Sequence, residues 1–216
     1  MQRQCFNRLM TSGVLALLVM SCRAPMQQDA PKILTMPPIV VAMRCGEEAA
    51  LIVYQGERAE LLYADAHYSL NQAISASGAR YVSATTPTIE WWNKGQNAQL
   101  MVRGKRLGEC VPEQSTGGVY RASGNEPFWR LDVRDEHVVY RPMEGPIVTT
   151  QLLGLEAMQG GIRLLGSDEL QILILPTQCQ DSMSGHYFPT TLMLHLAGEV
   201  LTGCGGTPNS ANIPFP

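Results

Sequence analysis

The stretch AALIVYQGERAELLYA, residues 49–64, contains two apolar runs separated by a short polar segment that includes Gln55 and Gly56. Each run is six residues long, which suits a strand and is too short for a typical helix. A glycine between two such runs favours a turn, because glycine adopts backbone conformations that other residues avoid. The stretch therefore predicts two antiparallel strands joined by a tight connection.

The same pattern recurs further along the chain. Toward the C-terminus it is seen in TIEWW at 88–92 and AQLMV at 98–102, followed by a turn at Arg103-Gly104-Lys105. No segment shows a helical period of useful length. We therefore predict a first module at residues 41–112, folded as a small antiparallel β-barrel or sandwich.

A second β-rich module is predicted at residues 119–206, after the turn-rich segment VPEQSTGG at 111–118. Its strand-like runs are PFWRLDV, HVVYR, LQILIL and TLMLHLA, with hairpin turns expected at 159–161 and 197–198. The fold class expected for the chain is all-β, with two small antiparallel barrel or sandwich modules, each containing one disulfide. Residues 207–216 are expected to form a C-terminal tail.

The N-terminus has the features of an export signal. Arg3 and Arg8 precede an apolar run at 13–20 that is too short to span a bilayer but suits a secretory signal. The run ends in Val-Met-Ser-Cys, which resembles a bacterial lipobox with Cys22 as the lipidated residue. We predict a signal peptide at 1–21 and a lipidated tether at 22–40; the alternative is a plain signal peptide with a chance cysteine.

Cysteine use agrees with export. Of six cysteines, Cys5 falls in the signal and Cys22 carries the lipid, which leaves Cys45, Cys110, Cys179 and Cys204. Four cysteines permit three pairings. The long gap between the second and third makes Cys45–Cys110 with Cys179–Cys204 the simplest choice.

Composition and motifs indicate a protein that is not an enzyme. The formal charge of −3 gives no reason to expect a nucleic-acid partner. None of the four histidines has a metal-ligand spacing, so no metal and no cofactor are expected. Asp65 and His67 fall on one face of a strand, where a solvated polar surface explains them better than catalysis. Ser77 lacks the G-x-S-x-G context of a hydrolase nucleophile.

Residues 77–100, SGARYVSATTPTIEWWNKGQNAQL, combine a Ser-Gly pair, a tyrosine, two tryptophans and a Lys-Gly pair in a fixed order. Together with the flanking cysteines, this series resembles the MliC/PliC family of membrane-bound and periplasmic inhibitors of c-type lysozyme, over about residues 41–112. The segment between Tyr81 and Trp92 is a few residues longer than the family pattern.

The resemblance implies a small β-barrel closed by a disulfide, whose serine and lysine enter the lysozyme cleft on a hairpin. Applied to this sequence, it assigns the lysozyme-binding residues Ser77, Gly78, Tyr81, Lys94 and Gly95. The implied partner is c-type lysozyme, and the implied effect is protection of peptidoglycan. Lipid anchoring places the protein in the bacterial cell envelope, on the periplasmic face of the outer membrane.

Other functions remain open at this stage. The second module resembles an uncharacterised bacterial lipoprotein domain, so the chain is alternatively a ligand-binding or envelope-stress lipoprotein that works through that module. Six residues could line a pocket there, although turn chemistry explains them better: Asn125, Glu126, Trp129, Asp181, Ser184 and His186. A peptidoglycan hydrolase is disfavoured because no carboxylate pair stands at a recognisable site.

Overall fold

The computed structural model describes residues 36–207, which contain eighteen strands and no helix, and hence no helix that could cross a membrane. Sixteen of the strands form two closed eight-stranded antiparallel barrels, one after the other along the chain. The all-β prediction is confirmed. The predicted signal peptide, Cys22, most of the tether and nearly all of the tail lie outside the described residues.

The first barrel is a simple meander in which each strand pairs with the next. Its strands are β1 Ile39–Cys45, β2 Glu48–Gln55, β3 Arg58–Tyr63, β4 Ala66–Ala73, β5 Ala79–Ser83, β6 Ile89–Lys94, β7 Asn97–Val102 and β8 Lys105–Pro112. The quoted stretch at 49–64 forms β2, a two-residue turn and β3, as its apolar runs predict. Gly56 lies in that turn with φ +60°.

The second barrel repeats this plan with one excursion. Its strands are β9 Tyr120–Asn125, β10 Phe128–Arg134, β11 His137–Pro142, β12 Val148–Met158, β13 Gly161–Gly166, β14 Gln171–Leu175, β17 Thr190–Leu196 and β18 Glu199–Gly205. Between β14 and β17 the chain forms a separate two-stranded sheet of β15 Cys179–Gln180 and β16 Tyr187–Phe188. The predicted hairpin turns at 159–161 and 197–198 are present.

Each barrel contains one disulfide, with the predicted pairing. Cys45 on β1 lies directly opposite Cys110 on β8, at the seam where the first and last strands close the first barrel. Cys179 of the excursion is bonded to Cys204 on β18, which attaches the small sheet to the second barrel. The first bridge therefore reinforces barrel closure, and the second holds an inserted segment.

The interior of the first barrel is filled by large apolar side chains, among them Ile52, Leu61, Trp91 and Leu100, all fully buried. On β2 and β3, however, the outward residues are buried as well. Leu51, Val53 and Leu62 belong to the same apolar cluster as the core of the second barrel. The uninterrupted run LIV at 51–53 is thus explained by burial on both faces of the strand.

Backbone hydrogen bonds join the two barrels around β1. Val40 N donates to Asp135 O at 3.0 Å, and Ala42 N donates to Gly118 O at 2.9 Å. Glu113, in the connection between the barrels, is buried and accepts a 2.7 Å hydrogen bond from Arg44 Nε. Burial acts to raise the pKa of Glu113, but hydrogen bonds from Arg44 and Ser115 outweigh it and lower the pKa. The junction is therefore both apolar and hydrogen-bonded.

Candidate functional site

Ser77 and Lys94 lie at the same end of the first barrel. Ser77 is in the loop between β4 and β5, and Lys94 is the last residue of β6. Because β5 and β6 pair from Ala79 opposite Asn93, the two residues flank the open end of one hairpin. The long connection of this hairpin, residues 84–88, lies at the other end of the barrel. The extra length noted in the sequence is therefore remote from both residues.

Trp92 connects the two sides of this site. Its Nε1 donates a 2.8 Å hydrogen bond to the backbone oxygen of Ser77, and Lys94 Nζ lies 3.9 Å from the centroid of its ring. A cation over an indole face is attracted by the negative face of the ring. One side chain thus holds the Ser77 loop and orients the Lys94 ammonium. The sequence motif did not identify this role, although strand alternation does place Trp92 and Lys94 on the same outer face.

Gly78 allows the loop to come close to β6. Its φ is +67°, and a Cβ atom added to it would lie 2.0 Å from Asn93 O. Real Cβ atoms do not approach a backbone oxygen so closely, and a left-handed φ is itself unfavourable for other residues. Gly78 is therefore required by the geometry of the loop, in addition to any contact with a partner.

We expect Gly78→Ala to destabilise the protein by about 1–3 kcal/mol more than Gly56→Ala, because only the former adds a steric clash to the unfavourable φ. Gly56 is the matched control, since its φ is +60° and nothing lies within 4 Å of the added Cβ. Urea unfolding of both variants measures the difference. Equal losses of stability would contradict the close approach.

Beneath the site, three inward side chains form a hydrogen-bonded group. Trp91 Nε1 donates to Tyr54 Oη and to Asn93 Oδ1, both at 2.7 Å, and Tyr54 Oη donates to Asn93 Oδ1 at 2.8 Å. Burial raises the pKa of Tyr54, so its hydroxyl stays protonated and can donate. These bonds fix the end of β6 immediately before Lys94, which supports the outward residues from within.

The predicted site residues Tyr81 and Gly95 do not lie on the outer face with Trp92 and Lys94. Tyr81 is 6% exposed, lies opposite Trp91 in the strand register, and packs 5.4 Å from the ring of Tyr54. It therefore belongs to the barrel interior behind the site, and its contact with a partner stays a prediction. Gly95 begins the two-residue turn after Lys94, with φ +66°, and provides the conformation that reverses the chain there.

Lys94 is the exposed cation at this end of the hairpin. Within residues 36–207 it takes part in no ion pair. Arg80, on the neighbouring strand, is already occupied, since its Nε and Nη2 donate to Glu90 at 2.9 and 2.6 Å. The ammonium of Lys94 is thus available to an acidic group of a partner.

The first barrel also contains a buried polar group that sequence reasoning missed. His67 Nε2 lies 2.6 Å from Glu60 Oε2, and Ser69 Oγ donates to the same oxygen at 2.7 Å. A nucleophilic serine needs the histidine between itself and the carboxylate, whereas here the carboxylate lies between the other two. The arrangement provides hydrogen-bond partners for a buried carboxyl group and does not activate Ser69. The sequence feature that could have revealed this group is the glutamate within the apolar run AELL at 59–62.

In the second barrel, the residues considered for a pocket form a turn. Asp181 Oδ1 accepts hydrogen bonds from the backbone of Met183 and Ser184 and from Ser184 Oγ, and Asn125 Nδ2 donates to Asp181 Oδ2 at 3.0 Å. Hydrogen bonds from Ser184, and then from Asn125, lower the pKa of Asp181. Turn chemistry therefore explains these residues, as predicted. Within residues 36–207, no three His, Cys, Asp or Glu side chains are grouped to hold a metal.

Comparison with known proteins identifies the first barrel only. Residues 44–107 match the family described as "Membrane-bound lysozyme-inhibitor of c-type lysozyme", MliC. No curated protein and no solved structure matches the chain. The matched segment contains Ser77, Trp92 and Lys94, and the second barrel lies outside it. The part of the chain that builds most of the first barrel is thus a match to the MliC family of lysozyme inhibitors.

Proposed function

We propose that the first barrel inhibits c-type lysozyme by placing Lys94 and Ser77 in the active-site cleft of the enzyme. The observation that carries this proposal is the joint support of both residues by Trp92, within the segment that matches the family. An exposed ammonium at the end of β6 and a hydroxyl in the neighbouring β4–β5 loop lie at one end of a closed barrel.

The chemistry of lysozyme explains why these groups would inhibit it. The enzyme needs one carboxylic acid protonated, to act as general acid, and a second carboxylate ionised. A lysine ammonium has three N–H donors on a compact charge, so it can contact both carboxyl groups. Its charge favours their ionised forms and removes the acid, while the loops at this end of the barrel exclude the sugar. Ser77 Oγ adds a hydrogen bond to one of them.

The local structure supports this role because the site is held in place before binding. Trp92 restrains the Ser77 loop and the Lys94 side chain, and the buried bonds of Trp91 and Asn93 restrain the strand. A preorganised site loses less conformational entropy when it binds.

Titration of the full chain into a lysozyme turbidity assay tests the proposal. We expect excess chain to stop the lysis of peptidoglycan by a c-type enzyme and to leave a lysozyme of another class active. Binding measured by calorimetry should be one to one. Full lysis in the presence of excess, folded chain would contradict the proposal.

The family match fits a protein of the cell envelope, and the anchor proposed for it is a lipid on Cys22 at the periplasmic face of the outer membrane. Residues 22–38, which precede β1, would hold the barrels away from the lipid surface. We expect Cys22→Ser to move the protein from the membrane fraction to the soluble periplasmic fraction, since a single change removes every acyl chain. Retention in the membrane fraction would argue against lipidation at this residue.

A further inference from the structure

The outer surface of β9, β10 and β11 concentrates the positive charge of the second barrel. Inward residues alternate with outward ones along these strands. The outward positions include Arg121, Arg130, Arg134 and Arg141, against one carboxylate, Asp132; we call these five residues the arginine face. Residues 120–206 contain ten acidic residues and five arginines, so four of the five bases lie on one surface of an acidic module.

Three of these arginines share the single carboxylate of the face. Arg121 Nε donates to Asp132 Oδ1 at 2.7 Å, and Arg141 Nη1 donates to Asp132 Oδ2 at 2.6 Å. Arg130 Nη2 lies 3.6 Å from the same Oδ2. Three positive charges around one negative charge leave a surplus of two.

The strand register brings like charges together. Arg130 lies directly opposite Arg141, an arrangement that is unfavourable unless an anion lies nearby. Asp132 lies near both arginines, but its single negative charge balances only one of them. By contrast Arg163, the remaining base of the barrel, has a carboxylate to itself, Glu156 at 3.2 Å. The charge of the arginine face is therefore incompletely balanced within the barrel.

The guanidinium groups remain accessible to a ligand. The side chains of Arg121, Arg130 and Arg141 are 43%, 48% and 35% exposed, whereas Asp132 is 14% exposed. Each guanidinium has five N–H donors, and Asp132 accepts only two hydrogen bonds from the three. Most of the donors thus have no partner on the face.

Next to these donors is an open concavity of about 360 Å³, lined in part by Arg121, Arg134 and His137. Its acidic lining residues are Asp132, which the arginines share, and Asp135, in the β10–β11 turn. Asp135 is held there through its backbone oxygen, which accepts from Val40 N. The outward residues of β12 that pair with β11, Thr149 and Gln151, are uncharged, and so is Thr202 on β18.

We propose that the arginine face binds phosphate groups. A phosphate carries between one and two negative charges at neutral pH and offers several acceptor oxygens, so one group balances the surplus of two. Guanidinium groups bind phosphate through paired N–H donors, which a lysine cannot do. The phosphate belongs either to a soluble anion or to a lipid headgroup. This site is separate from the Lys94 site and does not depend on lysozyme inhibition.

Calorimetric titration of the full chain with inorganic pyrophosphate tests the proposal. We expect Arg130→Gln combined with Arg141→Gln to weaken binding at least about 10-fold, and Arg163→Gln to leave it unchanged. Arg163→Gln is the matched control because this substitution also removes an arginine charge from the second barrel. Added salt should weaken binding to the native chain. Failure of pyrophosphate to bind, or equal affinity in the double variant, overturns a soluble phosphate as the ligand.

Flotation with vesicles separates the two sources of phosphate. Binding to phosphatidylglycerol vesicles but not to phosphatidylcholine vesicles, lost in the double variant, supports a lipid headgroup. Should the double variant fail to fold, NMR of the native chain replaces it: pyrophosphate should shift the Nε–H signals of Arg121, Arg130 and Arg141 and not that of Arg163. Absence of binding in both the pyrophosphate and the vesicle experiments overturns the proposal.

Discussion

Replacing Lys94 with alanine should raise the concentration of chain needed for half-inhibition of c-type lysozyme by roughly 30-fold or more. This corresponds to about 2 kcal/mol, a common cost when a buried interfacial charge is truncated. The loss is large because the lysozyme carboxyl groups would be desolvated without their cation. The variant should fold normally, since Lys94 is exposed and the bond from Trp92 to Ser77 remains.

Lys105→Ala is the matched control for this experiment. Lys105 is also exposed and also adjoins a two-residue turn, but the β7–β8 turn is at the opposite end of the barrel. We expect the Lys105→Ala variant to inhibit lysozyme as strongly as the native chain does. If the chain inhibits but Lys94→Ala inhibits equally well, the proposed mechanism is wrong while inhibition by the chain stands. Ser77→Ala should weaken inhibition less, because it removes one neutral hydrogen bond.

Removal of the disulfide at the barrel seam is the second large effect. Replacing Cys45 and Cys110 together with alanine should lower the free energy of unfolding by about 4 kcal/mol, because the bridge closes a long loop in the unfolded chain. The sequence separation is 65 residues. The backbone pairing between β1 and β8 covers only the positions from Met43 to Cys45, so the seam has few other bonds.

The second bridge provides the comparison. Cys179 and Cys204 are separated by 25 residues, and loss of this bridge should cost about 3.5 kcal/mol on the same entropic basis. It should leave lysozyme inhibition intact, since the bridge holds the β15–β16 segment and lies outside the matched segment. Urea unfolding followed by tryptophan fluorescence measures both changes. A smaller loss for the Cys45–Cys110 bridge would contradict its role in closing the barrel.

Much of the fold could be predicted from local patterns. Short apolar runs separated by glycine-containing turns indicate strands, and β2 with β3 and the turns at 159–161 and 197–198 follow the prediction. The disulfides could be paired because each falls within one module. Strand alternation along β6 puts Trp91 and Trp92 on opposite faces, and Trp91 lies in the core.

The candidate site was less predictable, because its geometry depends on strands that pair. The motif identified Ser77 and Lys94 as candidate site residues but did not show that Trp92 contacts both of them. Similarly, His67 was compared with Asp65, two residues away, whereas the structure pairs it with Glu60 across the β3–β4 register. Neighbours in a sheet follow from register, which a local pattern does not specify.

The sequence by itself determined the strand content, the glycine turns and the residues of the inhibitor motif, since each of these depends on neighbouring residues or on composition. The tertiary structure alone decided which outward faces are buried and which distant side chains meet. Leu51, Val53 and Leu62 are buried because the second barrel covers them. Arg130 and Arg141 stand opposite each other, and Lys94 lies over Trp92, because barrel closure and strand register determine distances that sequence spacing does not.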